Sequence, residues 1–206
     1  MKSSYFLLLV VYIVLILVSF LLPFYTAPGY SIISHTLSEL GAQNTPNNWM
    51  MNFVFILLSF ITLIHGFKIL GNHPLQIIVL FIFCTSLLLT GIYLSAPIYR
   101  RLPFDSFQDE MHSIFSTTTG VSFFIYCLVI SYIARWRKQK ILAIIVGITT
   151  FILSYSMFIH APYSGLYQRG IFIIAFGWIL YSFKYYDLLF SKKEYFNLVN
   201  KKKNER

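Results

Sequence analysis

A chain of 206 residues that is 57% hydrophobic and 11% charged, with mean hydropathy +0.70, lies outside the range of soluble domains, which carry roughly 25% charge. The formal charge of +9 does not indicate nucleic acid, because the positive residues cluster beside apolar runs, where they act as a topology signal. Cys84 and Cys127 both fall inside apolar runs and read as small buried hydrophobes, with no disulfide implied.

The first predicted helix covers about 5–22, a stretch with no charge from Tyr5 to Leu22. Pro23 and the turn Ala27-Pro28-Gly29 end it. Its 18 apolar residues exceed the signal-peptide core of roughly 7–15, and "FYTAPGY" offers no A-x-A cleavage site, so a retained membrane helix is expected. The next stretch, "SHTLSELGAQNT" (34–45), breaks the apolar pattern. Read as a short helix over 31–41 ended by Gly41, it places Ile33, Leu37 and Leu40 within about 80° of arc. His35 and Glu39 then share the opposite ridge at i,i+4.

Pro46, Asn47 and Asn48 precede a second span over 49–70, with Trp49 at the interface. Gly71-Asn72-His73-Pro74 is a tight turn into a third span, 75–96, closed by Ala96-Pro97. Ser106-x-x-Asp109 has the form of a capping box at the start of a fourth, 110–134. "RWRKQK" (135–140) separates it from a fifth, 141–160, and the Ala161-Pro162-Tyr163-Ser164-Gly165 turn leads to a sixth, 168–190. Each run is long enough to cross a hydrocarbon core of roughly 30 Å. The expected fold is an all-α integral membrane protein. It is a six-helix domain over 1–190, with a short extracytoplasmic amphipathic helix between helices 1 and 2 and a frayed basic cytoplasmic tail over 191–206.

With both termini inside, 13 of the 16 basic residues fall on inner segments and only Arg100, Arg101 and Arg169 fall outside, which is the positive-inside pattern. The outer side then holds Glu39, Asp105, Asp109 and Glu110, together with His35, His112 and His160. Asp109, His112, Ser116 and Thr119 share one face of the fourth helix, a polar stripe entering the membrane, where such side chains face the bundle interior. His160 ends the fifth helix. Arg169 opens the sixth, where a cation beside an apolar span is expected to meet an anion.

"HTLSELGA", followed by a polar Pro-Asn stretch and a Trp-led helix, resembles the opening motif of the integral membrane family called domain of unknown function 998. His112 at the start of the fourth span and Gly165-x-x-x-Arg169 at the start of the last are similar to that family's later motifs. Members often carry an acid before the arginine, where this chain has Gln168. The resemblance implies a six-helix bundle and no particular activity.

His35, Glu39, Asp109, His112, His160 and Arg169 are the candidate site. Histidine with carboxylate is the equipment of general acid–base catalysis, and it is also a zinc-ligand set. No HExxH, GxSxG or P-loop is present. The metal-free form is favoured: His112 as base, Asp109 or Glu39 orienting it, and Arg169 holding an anionic group. No cofactor is assigned. The expected partners are membrane lipids, with a lipid-linked substrate possible.

The functional expectation is an enzyme of a bacterial or archaeal plasma membrane, acting by hydrolysis or group transfer on a lipid or lipid-linked substrate. The alternative is a non-catalytic sensor or assembly factor whose polar cap is structural. In that alternative the His35–Glu39 pair is worth a few tenths of a kcal/mol. A transporter is disfavoured, because acids and bases midway through the spans are missing. An enzyme site is expected to bring the three histidines together across different helices.

Overall fold

The protein, seen in a computed structural model, is described over residues 2–71, 73–99 and 102–204, with side chains from 5–71, 73–99 and 102–186. The described residues form only helices and connections. The helices are α1 (Lys2–Leu21), α2 (Leu37–Leu40), α3 (Asn48–Leu70), α4 (Pro74–Ile92), α5 (Ser106–Ile133), α6 (Arg137–Ile159) and α7 (Ser164–Asn204), with 3-10 turns at Leu22–Tyr25 and Ala161–Tyr163. All except α2 are long and apolar enough to cross a membrane, which makes this an integral membrane protein.

The spans pack in chain order as a ring: α1 on α3, α3 on α4, α4 on α5, α5 on α6, α6 on α7, and α7 back on α1. α3 and α7 meet across the interior. There Phe55 stacks on Phe172 at 5.1 Å, and Phe83 touches Phe123 and Phe176. The buried positions of α1, Leu8, Val11, Leu15 and Ser19, keep the spacing of one helical face. α6 buries only Gln139, Ala143, Gly147 and Thr150, a narrow stripe of mostly small side chains against α5, and turns Ile141, Ile145, Ile148 and Ile152 outward. Outward isoleucines are costly in water and at home in hydrocarbon.

Tyr5, His65, Phe183, His73 and Tyr186 gather at one end of the bundle through ring contacts of 5.3–5.8 Å. The opposite end, the mouth, is closed by α2 and the long connections.

Several boundaries differ from expectation. α4 stops at Ile92, because Tyr93 adopts extended backbone before Pro97 is reached. α5 starts at Ser106, capped by Asp105, which accepts from the amides of Phe107 (2.9 Å) and Gln108 (3.4 Å). The expected Ser106–Asp109 box does not form, since Asp109 bonds elsewhere. Most of "RWRKQK" is the first turn of α6. α7 begins four residues early and its helical backbone continues through the segment expected to fray. Arg100 and Arg101 lie outside the described residues.

Candidate functional site

The mouth is built around the "SHTLSELGAQN" segment. Thr36 and Glu39 form a capping box: Thr36 Oγ1 accepts from the Glu39 amide (3.2 Å), and Glu39 Oε2 accepts from the Thr36 amide (2.6 Å). This box starts the helix at Leu37, so the expected 31–41 helix is two pieces. Residues 31–35 form a turn closed by His35 N–H to Ser31 O (2.8 Å) and by Ser31 N–H to His35 Nδ1 (2.9 Å). His35 therefore stands outside the helix and shares no ridge with Glu39. Leu37 and Leu40 are fully buried, while Ile33 is 49% exposed.

Gly41 does cap α2, but at φ −91°, outside the left-handed region. Glycine is needed there because Asn52 Nδ2 donates to the Gly41 carbonyl (2.8 Å) and a Cβ would stand 2.2 Å from Asn52 Oδ1.

The segment docks on the start of α7. Ser164 Oγ donates to Ser34 O (2.6 Å), and the Leu166 amide donates to Ile33 O (3.2 Å). Gln168 Oε1 accepts from the Leu37 and Ser38 amides (2.5 and 3.3 Å), satisfying the open N-terminus of α2. An amide oxygen does here what a carboxylate would, so the glutamine in place of an acid leaves the docking intact. Gly165 permits the approach: a Cβ there would lie 2.3 Å from His35 O and 2.4 Å from Ile32 O.

Arg169 is 2% exposed and acts as the knot of this docking. Its Nε donates to Ser19 O (3.1 Å), Nη1 to the carbonyls of Ile32 (3.0 Å), His35 (2.9 Å) and Gly165 (3.0 Å), and Nη2 to Tyr30 Oη (2.8 Å). The rings of Phe20 and Tyr30 lie within 5.9 Å of the guanidinium carbon. Tyr30 in turn donates to the carbonyls of His35 and Thr36. Burial pushes the Tyr30 hydroxyl up to about 12, against the pull of Arg169, so it keeps the proton these bonds need. The anion expected beside Arg169 is thus replaced by carbonyl and hydroxyl dipoles, to which all three of its nitrogens donate.

A second set of bonds ties the segment to the α4–α5 connection. Gln43 donates to Leu94 O and Asp105 O and accepts from the Asp105 amide. Ser95 Oγ donates to Ser38 O (3.0 Å), and Asp109 Oδ1 accepts from the Ala96 amide (2.7 Å).

These ties leave a pocket of about 260 Å³. It is lined by Thr36, Ser38 and Glu39, by residues 95–98, by Asp109, His112, Ser113 and Ser116 of α5, by Met157 of α6 and by Gln168 of α7. His112 is 5% exposed. Its Nδ1 lies 3.0 Å from Thr90 O and 2.8 Å from Tyr93 O. Both are acceptors, so Nδ1 carries a proton, and in the neutral form of the ring the lone pair is on Nε2. Nε2 diverges from α4, is buried, and has no hydrogen-bond partner among the described residues. Glu39 Oε1 and Asp109 Oδ2 are not used by the bonds described above. Together these groups can accept, hold and return a proton.

The structure therefore brings Glu39, Asp109, His112 and Ser116 to one pocket. It leaves out His35, whose Nδ1 is used locally, His160, which is exposed at the end of α6, and the occupied Arg169. Thr119 donates to Phe115 O instead of facing the pocket. The three histidines do not converge. Among the described residues no group of three or more His, Cys, Asp or Glu could hold a metal ion.

Sequence reasoning missed Ser38, Ser95, Ser113, Met157 and Gln168. The signal the sequence holds for this part of the pocket is the Thr36-x-x-Glu39 pattern, the capping box that starts α2 at Leu37.

The family model described as "Protein of unknown function (DUF998)" matches residues 10–182. No curated protein and no solved structure matches the chain.

Proposed function

The chain belongs to the DUF998 family, and from that premise we propose that it is a membrane enzyme acting on a lipid or lipid-linked substrate by acid–base hydrolysis or group transfer. One observation carries this reading: a buried imidazole with its tautomer held by the α4 carbonyls and its Nε2 lone pair unpartnered, in a residue lining a polar pocket. An unsatisfied buried polar atom costs roughly 1–3 kcal/mol and asks for an explanation, of which a catalytic role is one; among the buried atoms in that condition, His112 Nε2 is set apart by belonging to a pocket that also holds two carboxylates.

In the reaction, Nε2 takes the proton of a water or acceptor hydroxyl as that oxygen attacks. The imidazolium so formed returns that proton to the leaving group as it departs, with the carboxylates of Glu39 and Asp109 in the same pocket to offset its charge. No role is given to Arg169 beyond holding the mouth together. Four helices, α2, α5, α6 and α7, and the 95–98 connection form the pocket's walls, and the Asp109–Ala96 and Ser95–Ser38 bonds tie that connection to α5 and α2.

The positive-inside distribution, 13 of 16 basic residues, supports placing the mouth on the extracytoplasmic side of a bacterial or archaeal plasma membrane, with both termini cytoplasmic. Cys84 and Cys127 are buried, so a cysteine placed at the exposed Asn44 is a clean reporter. It should react with a membrane-impermeant maleimide added to intact cells. Labelling only after permeabilisation would reverse the topology.

The enzymatic reading is tested by incubating the reconstituted protein with total membrane lipid and following products by mass spectrometry. Turnover that His112→Asn abolishes is expected; turnover indifferent to His112 would refute it. A second reading, a non-catalytic sensor with a structural cap, is favoured by the structural bonds that Glu39 and Asp109 already make.

A further inference from the structure

The charge of the pocket identifies the kind of group it receives. Two of its lining side chains, Glu39 and Asp109, are carboxylates, and among the described residues no lysine or arginine lines it. The nearby cation of the mouth, Arg169, spends its donors on carbonyls and on Tyr30 and is absent from the lining. An anionic headgroup entering here would meet two like charges at short range, in surroundings drier than water, where that repulsion is strong. A protonated amine would meet two opposite charges and a ring of hydroxyl acceptors from Ser38, Ser95 and Ser116.

The carboxylates are not fully absorbed by the fold. Glu39 uses Oε2 for its capping box, and Asp109 uses Oδ1 for the Ala96 amide. The independent sign of a ligand is His112, 5% exposed, lining the same pocket with Nε2 buried and without partner.

We propose that the pocket between α2, α5 and α7 recognises an ammonium group, carried on a membrane-borne molecule, beside the bond on which His112 acts. This rests on the catalytic reading above and narrows its substrate to amine-bearing lipids. It assigns the two carboxylates to charge recognition and leaves proton transfer to His112. It also reverses the expectation that an arginine would hold a phosphate.

The decisive variants are Glu39→Gln and Asp109→Asn. Each keeps an oxygen in place for its structural bond, since glutamine also serves in a capping box and asparagine still accepts from the Ala96 amide. Each removes one charge. A role limited to structure would therefore leave binding unmoved.

The full-length protein is placed in dodecyl maltoside micelles, whose headgroups carry no charge. Binding of octadecylamine, octadecanol and stearate is compared by native mass spectrometry, with soluble ethanolamine as a competitor. The amine is expected to bind at least about tenfold more tightly than the alcohol, a difference of about 1.4 kcal/mol, and stearate more weakly than either. The preference should shrink in each single variant and vanish in the double variant. Failure of ethanolamine to compete at millimolar concentration supports a bilayer-borne source. Competition by free ethanolamine at equal occupancy overturns the lipid assignment.

Stearate binding best, or an amine preference that survives the double variant, overturns the proposal. If amine preference is missing while His112-dependent turnover of a neutral lipid persists, the charge inference falls and the catalytic reading stands. If amine binding is intact and no turnover depends on His112, the reverse holds.

Discussion

His112 on α5 donates its Nδ1 proton to the carbonyl oxygen of Tyr93, 2.8 Å away, at the point where α4 has just ended. The bond serves two ends. It satisfies open carbonyls at a helix C-terminus, and it commits the ring to the tautomer whose Nε2 is a base.

These two roles can be separated by substitution. Asparagine places an N–H donor near the position of Nδ1 and has nothing at Nε2. His112→Asn should hold thermal stability within about 1 kcal/mol of wild type while losing about 10²–10⁴-fold in turnover, the usual worth of a general base. His112→Ala should also lose roughly 1–3 kcal/mol of stability, because the α4 carbonyls lose their donor. Thermal unfolding of the three proteins in one detergent checks this. Equal stability of the Ala and Asn variants would remove the clamp from the account.

The docking of the 31–40 segment on α7 depends on two residues. Gly165→Ala puts a methyl 2.3 Å from the His35 carbonyl, so the loop must lift. Arg169→Lys retains the charge but cannot reach the Ser19, Ile32 and His35 carbonyls and Tyr30 at once. Both variants should lose about 2–4 kcal/mol, at roughly 1–3 kcal/mol for each buried acceptor left open. Hydrogen exchange should rise first at the amides of Leu37 and Leu166. Adding inorganic phosphate should not stabilise the wild type, because Arg169 is buried and all three of its nitrogens already donate within the mouth.

Alkaline pH acts through Tyr30. Its hydroxyl titrates at about 12 in the fold against an ordinary value of 10. A raised pKa means that its contribution is complete below pH 10 and is lost as pH rises through 12. Stability of the wild type should therefore fall more steeply between pH 10 and 12 than that of Tyr30→Phe, measured side by side. Parallel curves would show that the Tyr30 proton contributes nothing to the mouth.

His160 is exposed and does not line the pocket. His160→Ala should change stability by no more than about 0.5 kcal/mol and leave turnover at wild-type level. Dialysis against a chelator should likewise leave turnover unchanged, since the described donors do not assemble into a metal-holding group. Stoichiometric zinc in the purified protein, or loss of turnover with His160→Ala, would contradict this division.

The six spans were legible because apolar length is a local property of the chain. The Asp109–His112–Ser116 face was legible for a similar reason, since helical periodicity places all three on one side. Arg169 was not. Its acceptors are main-chain carbonyls of Ser19, Ile32, His35 and Gly165, and every residue has a carbonyl, so no side-chain pattern announces them. The helix starts at Leu37 and not at 31 because the Thr36-x-x-Glu39 capping box fixes its N-terminus, a boundary signal that the apolar spacing of Ile33, Leu37 and Leu40 does not carry. His160 shows the limit of counting histidines at one end of a bundle: proximity along the membrane normal does not bring side chains into one pocket.

The central claim is that His112 does chemistry on a membrane lipid. The most direct measurement compares the lipid profiles of cells lacking the native gene and carrying either wild-type protein or His112→Asn, at matched levels of folded protein. One lipid class should be depleted, and its product raised, by wild type, with the variant indistinguishable from the empty strain. A His112→Asn profile identical to wild type would contradict catalysis and leave the mouth as a structural cap.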